Sequence, residues 1–346
     1  MYINLGKKIQ NNLWSHDFSN SMSGELLAIL AVLTFVGSNV IFRKVEQEAS
    51  PTYINFFRTA LGTITFLLIL LFLNNLNLIF MISWELWLLL IVSFIFGQVI
   101  GDTSYFIAQK ELGTTIALAI SMTFPLFTFI LSLLFLDRPF TPNFIISLIL
   151  IGLGITIIGK TKGSVDDMDV DRNSDLQHSF RMKIQDVFKK SLIKAIGYCI
   201  LASLGWAIGA VLIDYCTGQI DLITEAKGLS SIIGNSIRFP FALLILSTMV
   251  WREKSQKSKT QNPSIKKKSR YTWILLICGS ILGTSLGAYL YTESVHLAGA
   301  SFVSLIATTS PLFSLPLTYV VNKEKISKFG FIGVFLTIIG VVVILI

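Results

Sequence analysis

The chain has 346 residues, of which 53% are hydrophobic and only 14% are charged, and its formal net charge is +8. A soluble domain is about 25% charged, and a mean hydropathy of +0.71 leaves too few polar side chains to cover a surface in water. This composition excludes ordinary soluble enzymes and disordered proteins, and three cysteines are too few for a disulfide-rich scaffold. The sequence therefore predicts a polytopic membrane protein.

Ten apolar segments are long enough to cross a membrane, because a hydrocarbon core of about 30 Å requires about 20 helical residues. They are 24–43, 53–73, 84–109, 114–136, 142–159, 192–216, 229–251, 271–292, 299–321 and 328–346. The segments are continuously apolar, whereas the strands of a membrane barrel would alternate over about 10 residues. We therefore expect an all-α fold, with a polar tail over 1–23 and a polar linker over 160–191.

The two halves on either side of this linker, 24–159 and 192–346, repeat one another. A shift of 186 residues places Pro125 on Pro311, together with several glycines. A unit of five helices crosses the membrane an odd number of times, so its second copy must enter the membrane inverted. The predicted fold is thus ten transmembrane helices in two inverted five-helix repeats, a plan in which secondary transporters rock one half against the other.

Small residues recur at every fourth position in the third helix of each repeat, which brings them onto one helix face. They are Ser93, Gly97 and Gly101 in the first repeat and Gly279, Gly283 and Gly287 in the second. Such faces let two helix backbones approach closely in lipid. The sequence therefore predicts a tight helix contact at each of these two faces.

These features resemble the EamA-type branch of the drug/metabolite transporter superfamily, whose members have ten helices in two inverted repeats. The resemblance rests on an Arg in the second helix and a Pro in the fourth helix of each repeat, namely Arg58, Arg238, Pro125 and Pro311. Glu324 lies in a short charged turn before the last helix, where the family usually has an acidic residue, whereas Arg138 holds the equivalent place in the first repeat. The resemblance implies transport without naming the substrate, and we expect export of a small polar metabolite.

Asp102 is the strongest candidate for a transport role, because charges within membrane helices are costly and rare. It lies within the third helix, with Gln98 one turn before it and Tyr105 about one turn after it. Its carboxylate can exchange a proton with an aqueous cavity and so couple transport to protons. Alternatively, Asp102 forms a fixed ion pair with Arg58 or Arg238, or it lies exposed at the membrane interface.

The two intramembrane arginines each end an Asn-x-x-Arg quartet, so Asn55 shares a helix face with Arg58, and Asn235 with Arg238. A guanidinium group matches the oxygens of a carboxylate or phosphate, and each face could therefore bind an anionic group of the substrate. The other interpretation is a scaffold role, in which the arginine locks its helix to a neighbour. We favour the scaffold role because the quartet recurs in both repeats.

The remaining candidates are two prolines, three aromatic residues and a second acid. Pro125 and Pro311 each remove a helix hydrogen bond and are predicted to kink their helices, and we favour a hinge or a cavity-lining role over a static kink. Three aromatic side chains are candidates either for lining a substrate cavity or for filling the core: Tyr105, Tyr291 and Trp206. Glu293, near the end of the eighth helix, is expected at the interface and is kept as a second titratable group.

The alternative function is an integral membrane enzyme that acts on lipid or isoprenoid substrates, which would need clustered acids or a catalytic histidine. The three histidines, His16, His178 and His296, are scattered, and no two carboxylates are paired within a predicted span. We therefore expect no catalytic residues and neither a metal nor another cofactor. A scaffold or receptor that transports nothing is a third possibility, for which an inverted repeat has no evident use.

The basic residues are unevenly distributed, since 21 of the 28 lie in the connections that follow odd-numbered predicted helices or at the helix ends that border those connections. The positive-inside rule places those connections in the cytoplasm and both termini outside, whereas the family resemblance implies the opposite orientation. We adopt the charge count. The net positive charge then reflects topology rather than nucleic-acid binding, and the expected partners are a small-molecule substrate and the lipid bilayer of the cell membrane, with a monomer or homodimer as the assembly.

Overall fold

The structure, a computed structural model, describes residues 18–136, 146, 149–154, 157, 176–225, 228–259, 269–323 and 328–345, and all secondary structure assigned there is helical. Parts of the predicted organisation lie outside these residues. They are the tail over 1–17, most of the fifth span over 142–159, the linker over 160–175, and the residues Arg138 and Glu324.

The first half contains α1 (Phe18–Val45), α2 (Pro51–Phe72), the short α3 (Leu78–Met81), α4 (Trp84–Phe94), a π-helical segment (Ile95–Asp102), α5 (Thr103–Leu112), α6 (Thr114–Ser121) and α7 (Phe124–Leu136). The second half contains α8 (Leu176–Thr224), α9 (Ser230–Lys259), α10 (Arg270–Ser280), a second π-helical segment (Ile281–Leu286), α11 (Gly287–Ala298), α12 (Ala300–Ala307), α13 (Ser310–Asn322) and α14 (Lys328–Leu345).

Six helices within the described residues are long and apolar enough to cross a membrane. They are Gly24–Val45, Pro51–Phe72, Trp84–Leu112, Ser191–Thr224, Ser230–Gln256 and Arg270–Ala298. The chain is therefore a multi-pass membrane protein, while the count of ten helices and the inversion of one half stay predictions. Helix α8 begins at Leu176, so the second part of the predicted linker, over 176–191, is helical.

The predicted spans 114–136 and 299–321 are not continuous helices. The first is interrupted between α6 and α7, and the second between α12 and α13. Pro125 and Pro311 are each the second residue of the helix that follows the interruption, so both prolines lie at a break between two helices rather than inside one continuous helix. Proline is tolerated there because the first turn of a helix has no intrahelical use for the missing N–H group.

Local backbone features recur 186 residues apart in the two halves. The two π-helical segments begin at Ile95 and Ile281. The helices that follow them, α5 and α11, each end at a glycine with positive φ, namely Gly113 with φ +81° and Gly299 with φ +82°. Residues other than glycine rarely adopt backbone φ values in this region. The repetition seen in the sequence thus extends to the details of the backbone.

The small-residue faces lie at close contacts between the two halves. Gly97 packs against Gly209 of α8, and Gly101 packs against Trp206 of the same helix. In the second half, Gly279, Gly283 and Gly287 pack against Phe42, Ser38 and Thr34 of α1. The third predicted helix of each half therefore packs against the first predicted helix of the other half.

Replacing Gly205 by alanine is expected to destabilise this contact, because a Cβ atom there would lie 2.5 Å from the carbonyl oxygen of Phe96. Backbone atoms cannot turn aside as a side chain can, so we expect a loss of about 1–3 kcal/mol. Gly197→Ala, on the same helix, is the matched control, since nothing lies within 4 Å of its Cβ and alanine favours a helix over glycine by about 1 kcal/mol. Thermal unfolding in detergent tests this, and equal unfolding temperatures for the two variants would contradict it.

Polar contacts between chain turns and helix ends define two opposite ends of the helix bundle. The first, which we call the Glu46 end, gathers Arg43, Glu46, Glu48, Ser50, Lys110, Glu253, Ser269 and Asn322. The second, the His296 end, holds His296 Nε2 at 2.8 Å from Asp221 Oδ2, and Asp214 Oδ2 accepts a hydrogen bond of 2.9 Å from the backbone N–H of Ala300.

Candidate functional site

A cavity of about 150 Å³ lies between the two halves, and each half supplies an equal share of its lining. The lining residues are Ala28, Ala31, Val32, Phe35, Arg58, Ser93, Phe94, Gly97, Gln98, Asp102, Met122, Phe124, Trp206, Gly209, Ala210, Ile213, Arg238, Gly283, Gly287, Ala288, Tyr291, Val303, Ala307 and Ser310. The cavity thus brings together the buried charged residues Arg58, Asp102 and Arg238 with Gln98, Trp206 and Tyr291, all of which are sequence candidates.

Asp102 is held by two side chains from different parts of the chain. Its Oδ2 lies 3.1 Å from Arg58 Nη2, and its Oδ1 accepts a hydrogen bond of 2.8 Å from the indole N–H of Trp206. Arg58 Nε also donates to the hydroxyl of Thr284 at 2.8 Å. Because Trp206 and Thr284 belong to the second half, this network connects the two halves across the cavity.

The Asp102–Arg58 pair is removed from water, since the two residues are each only 5% exposed. Arg58 also lies over the aromatic rings of Phe42 and Phe106, at 6.0 and 5.3 Å from their centroids. A buried ion pair gains little over apolar residues of the same volume, but removing one partner leaves an uncompensated charge. Each member of this pair therefore needs the opposite charge of the other to remain buried.

Asn55 and Gln98 connect α2 to the first π-helical segment by hydrogen bonds, and of the two only Gln98 lines the cavity. Asn55 Nδ2 donates to the backbone oxygen of Gln98 at 2.7 Å and to the hydroxyl of Thr103 at 2.8 Å. Gln98 Nε2 in turn donates to Asn55 Oδ1 at 3.0 Å and to the hydroxyl of Thr59 at 2.9 Å. These bonds satisfy backbone and amide groups where a π-helix departs from regular α-helical bonding.

Arg238 has surroundings that differ from those of Arg58. Its Nε donates to Asn235 Oδ1 and its Nη2 to the hydroxyl of Thr292, both at 2.8 Å, and its guanidinium lies 4.7 Å from the ring centroid of Phe94. Within the described part of the chain it forms no ion pair, and its Nη1, like that of Arg58, has no hydrogen-bond partner. The chain thus contains two buried arginines on one cavity, of which Arg58 has a carboxylate partner and Arg238 has none among the described residues.

Several sequence candidates do not line the cavity. Tyr105 is fully buried towards the Glu46 end, and its hydroxyl donates to Gln109 Oε1 at 2.6 Å, which fits the core-filling alternative for this residue. Glu293 is buried rather than exposed at the interface, and its Oε2 has no hydrogen-bond partner in the described part of the chain. The remaining candidates outside the lining are Asn55, Asn235, Pro125, Pro311, Gly101 and Gly279.

Sequence reasoning missed a buried polar network that closes the bundle beyond the cavity. Gln109 Nε2 donates to Glu46 Oε1 at 2.7 Å, and Arg43 Nη1 donates to Glu46 Oε2 at 2.8 Å. The ring of Tyr105, which bonds to Gln109, lies 5.5 Å from the ring of Trp206 on the cavity wall. The Arg43-x-x-Glu46 spacing was a usable signal for an ion pair, but nothing in the sequence indicated that Glu46 would be buried.

Comparison with known proteins identifies the group to which this fold and cavity belong. The EamA-like transporter family matches residues 22–160 and 193–346. The chain belongs to the EamA-like transporter family. An "Uncharacterized transporter" of Archaeoglobus fulgidus is 24% identical over 322 residues, which span 92% of this chain and 97% of that protein. A solved structure, described only as "Crystal structure of protein", is similar in fold with a TM-score of 0.59 at 12% identity, over 93% of this chain and 96% of that one.

Family membership and the described fold together establish a membrane transporter, in agreement with the resemblance seen in the sequence. They give no support to the alternative of an enzyme acting on lipid or isoprenoid substrates.

Proposed function

We propose that this protein is a secondary transporter that exports a small polar metabolite across the cell membrane by alternating access between two inverted five-helix repeats. The observation that carries the proposal is a cavity containing buried charged residues, to which the two halves contribute equally. Buried charges are expensive within a membrane and mark substrate or ion pathways there. A site shared between the halves is also the place where rocking of one half against the other changes access.

The position of the cavity supports an alternating-access cycle. On α1 the lining residues run from Ala28 to Phe35, in the part of the helix nearer the His296 end. Towards the Glu46 end, the space beyond Trp206 is filled by Tyr105 and then by the polar network around Glu46. This arrangement corresponds to a state closed at the Glu46 end, and opening that end requires these contacts to separate.

Proton coupling is proposed to act through Asp102. Its carboxylate forms an ion pair with Arg58 and accepts a hydrogen bond from Trp206, and Arg58 in turn donates a hydrogen bond to Thr284. The charge on Asp102 therefore links the two halves. A proton taken up by Asp102 would remove the charge that attracts Arg58 and weaken the link. Proton exchange at this one carboxylate could therefore favour the movement that changes access.

The transport function is tested by a metabolite screen on the purified protein. Compounds that bind the folded state raise its unfolding temperature, because ligand binding stabilises that state by mass action. Each compound that does so is then tested for exchange across proteoliposomes. Exchange of at least one metabolite, absent from empty liposomes, is the expected result, whereas lipid turnover without any exchange would favour the enzyme alternative.

Coupling is tested with the paired neutral variant Arg58→Gln/Asp102→Asn, which removes both charges of the ion pair, so that neither partner is left as an uncompensated charge. We expect this variant to fold and to exchange substrate, but its flux should no longer increase when a pH gradient is imposed. Flux is measured in proteoliposomes with and without the gradient, with Arg252→Gln, an exposed arginine, as the control. An unchanged response to the gradient would contradict a coupling role for Asp102.

A further inference from the structure

We propose that Arg238 binds an oxyanion, namely a carboxylate or phosphate group of the transported molecule, within the cavity. The proposal names the substrate class of the site described above and therefore rests on the proposed transport function. It arises from the difference between the two buried arginines, because Arg58 is paired with Asp102, whereas Arg238 has no ion pair within the described residues.

The charge of the cavity favours an anion. Its lining contains three charged side chains, Arg58, Asp102 and Arg238, whose formal charges sum to +1. Arg238 is only 2% exposed, and a buried cation without a counter-ion loses its hydration without an equivalent gain. An anionic ligand would supply the missing counter-charge, whereas a cationic ligand would add to the repulsion.

The donors around Arg238 are suited to oxygen acceptors. Its Nη1 is buried and lacks a hydrogen-bond partner among the described residues. Tyr291 lines the same cavity, and its phenolic hydroxyl is a further group that can donate a hydrogen bond. Hydrogen bonds from a guanidinium to an anionic oxygen are among the strongest in proteins, so Arg238 would be the main contact.

The internal repeat shows why this arginine is unpaired. Position 288 lies 186 residues after Asp102, and it is occupied by alanine. Ala288 lines the same cavity, so the second half has a methyl group at the repeat position where the first half has a carboxylate. A volume of about 150 Å³ is below the roughly 300–1,000 Å³ of pockets for drug-sized molecules, which suits a small ion.

The experiment measures ligand binding by the purified full chain as a rise in unfolding temperature at constant ionic strength. The probes are sodium acetate, inorganic phosphate and acetamide, the last being a neutral molecule of nearly the same shape as acetate. We expect saturable stabilisation by acetate or phosphate and none by acetamide. The two anions distinguish a carboxylate substrate from a phosphate substrate.

Three variants assign this binding to Arg238. Arg238→Gln should weaken the apparent affinity for the anion by about tenfold or more, which corresponds to about 1.4 kcal/mol. Arg252→Gln removes an exposed arginine from the same helix and should bind like the unmodified protein. Ala288→Asp adds a carboxylate to the cavity while Arg238 itself is unchanged. Because the added negative charge repels an anion, this variant should fold and should also bind the anion about tenfold more weakly.

The outcomes separate the two proposals. Equal anion affinity in the unmodified protein, Arg238→Gln and Ala288→Asp would overturn the oxyanion site, as would saturable binding of acetamide or no saturable binding of either anion. A metabolite screen whose transported compounds are all neutral or cationic would also overturn the site but leave transport intact. Conversely, binding of an anion that depends on Arg238, in a protein that exchanges no metabolite, would support the site and contradict transport.

Discussion

Replacing Asp102 by leucine is expected to destabilise the protein by about 3–5 kcal/mol, because the change leaves Arg58 buried without its carboxylate partner. Replacing Arg58 by methionine should cost a similar amount, since it leaves the carboxylate buried. The double variant Arg58→Met/Asp102→Leu removes both charges and should recover most of the lost stability. Folded yield after extraction and equilibrium unfolding in detergent measure all three variants.

The prediction depends on coupling between the two substitutions rather than on the size of either one alone. A marginal stability of about 5–15 kcal/mol means that each single variant could lose much of its folded yield. Arg252→Met, at an exposed position of α9, controls for the loss of an arginine as such and should match the unmodified protein. If the effects of the two single substitutions simply add in the double variant, Asp102 and Arg58 do not depend on each other and the ion pair is not a structural unit.

The membrane spans and the family could be predicted because each depends on short sequence segments or on repeated positions. Lengths of apolar sequence predicted the spans at 24–43, 53–73 and 84–109, and the described helices that cross there agree within a few residues. The family could be predicted from two arginines and two prolines in repeated positions. These signals are local in sequence, or they repeat at a fixed distance along it.

The site was harder to predict because its properties depend on contacts between distant residues. Gln98, Asp102 and Trp206, which are all candidates from the sequence, line one cavity, but the sequence could not say that Asp102 would pair with Arg58 rather than with Arg238. Tyr105 has the same helix register as a cavity residue, yet its hydroxyl turns towards the Glu46 end to meet Gln109. Which partner a side chain reaches is decided by helix packing, which no single segment specifies.

The second large effect is expected at Glu46, whose two carboxylate oxygens hold Gln109 and Arg43. Glu46→Gln removes the charge from both hydrogen bonds, and bonds to charged groups contribute about 1.5–3 kcal/mol. If these bonds keep the Glu46 end closed, their loss should shift the protein towards opening at that end by about tenfold or more. Two native cysteines can report the shift, since Cys199 shares a core cluster with Val45 and Ala49 on either side of Glu46, whereas Cys216 lies on α8 between Asp214 and Asp221 of the His296 end.

The measurement is the rate at which a water-soluble maleimide labels each cysteine in a Cys278→Ser background, which removes the exposed thiol. Opening confined to the Glu46 end should raise the rate at Cys199 by about tenfold and leave Cys216 unchanged, because only the first thiol lies behind the broken contacts. Glu25→Gln, at an exposed position of α1, removes an equal charge and should change neither rate. Equal acceleration at both cysteines would indicate general loosening of the fold, and an unchanged rate at Cys199 would show that Glu46 does not hold this end closed.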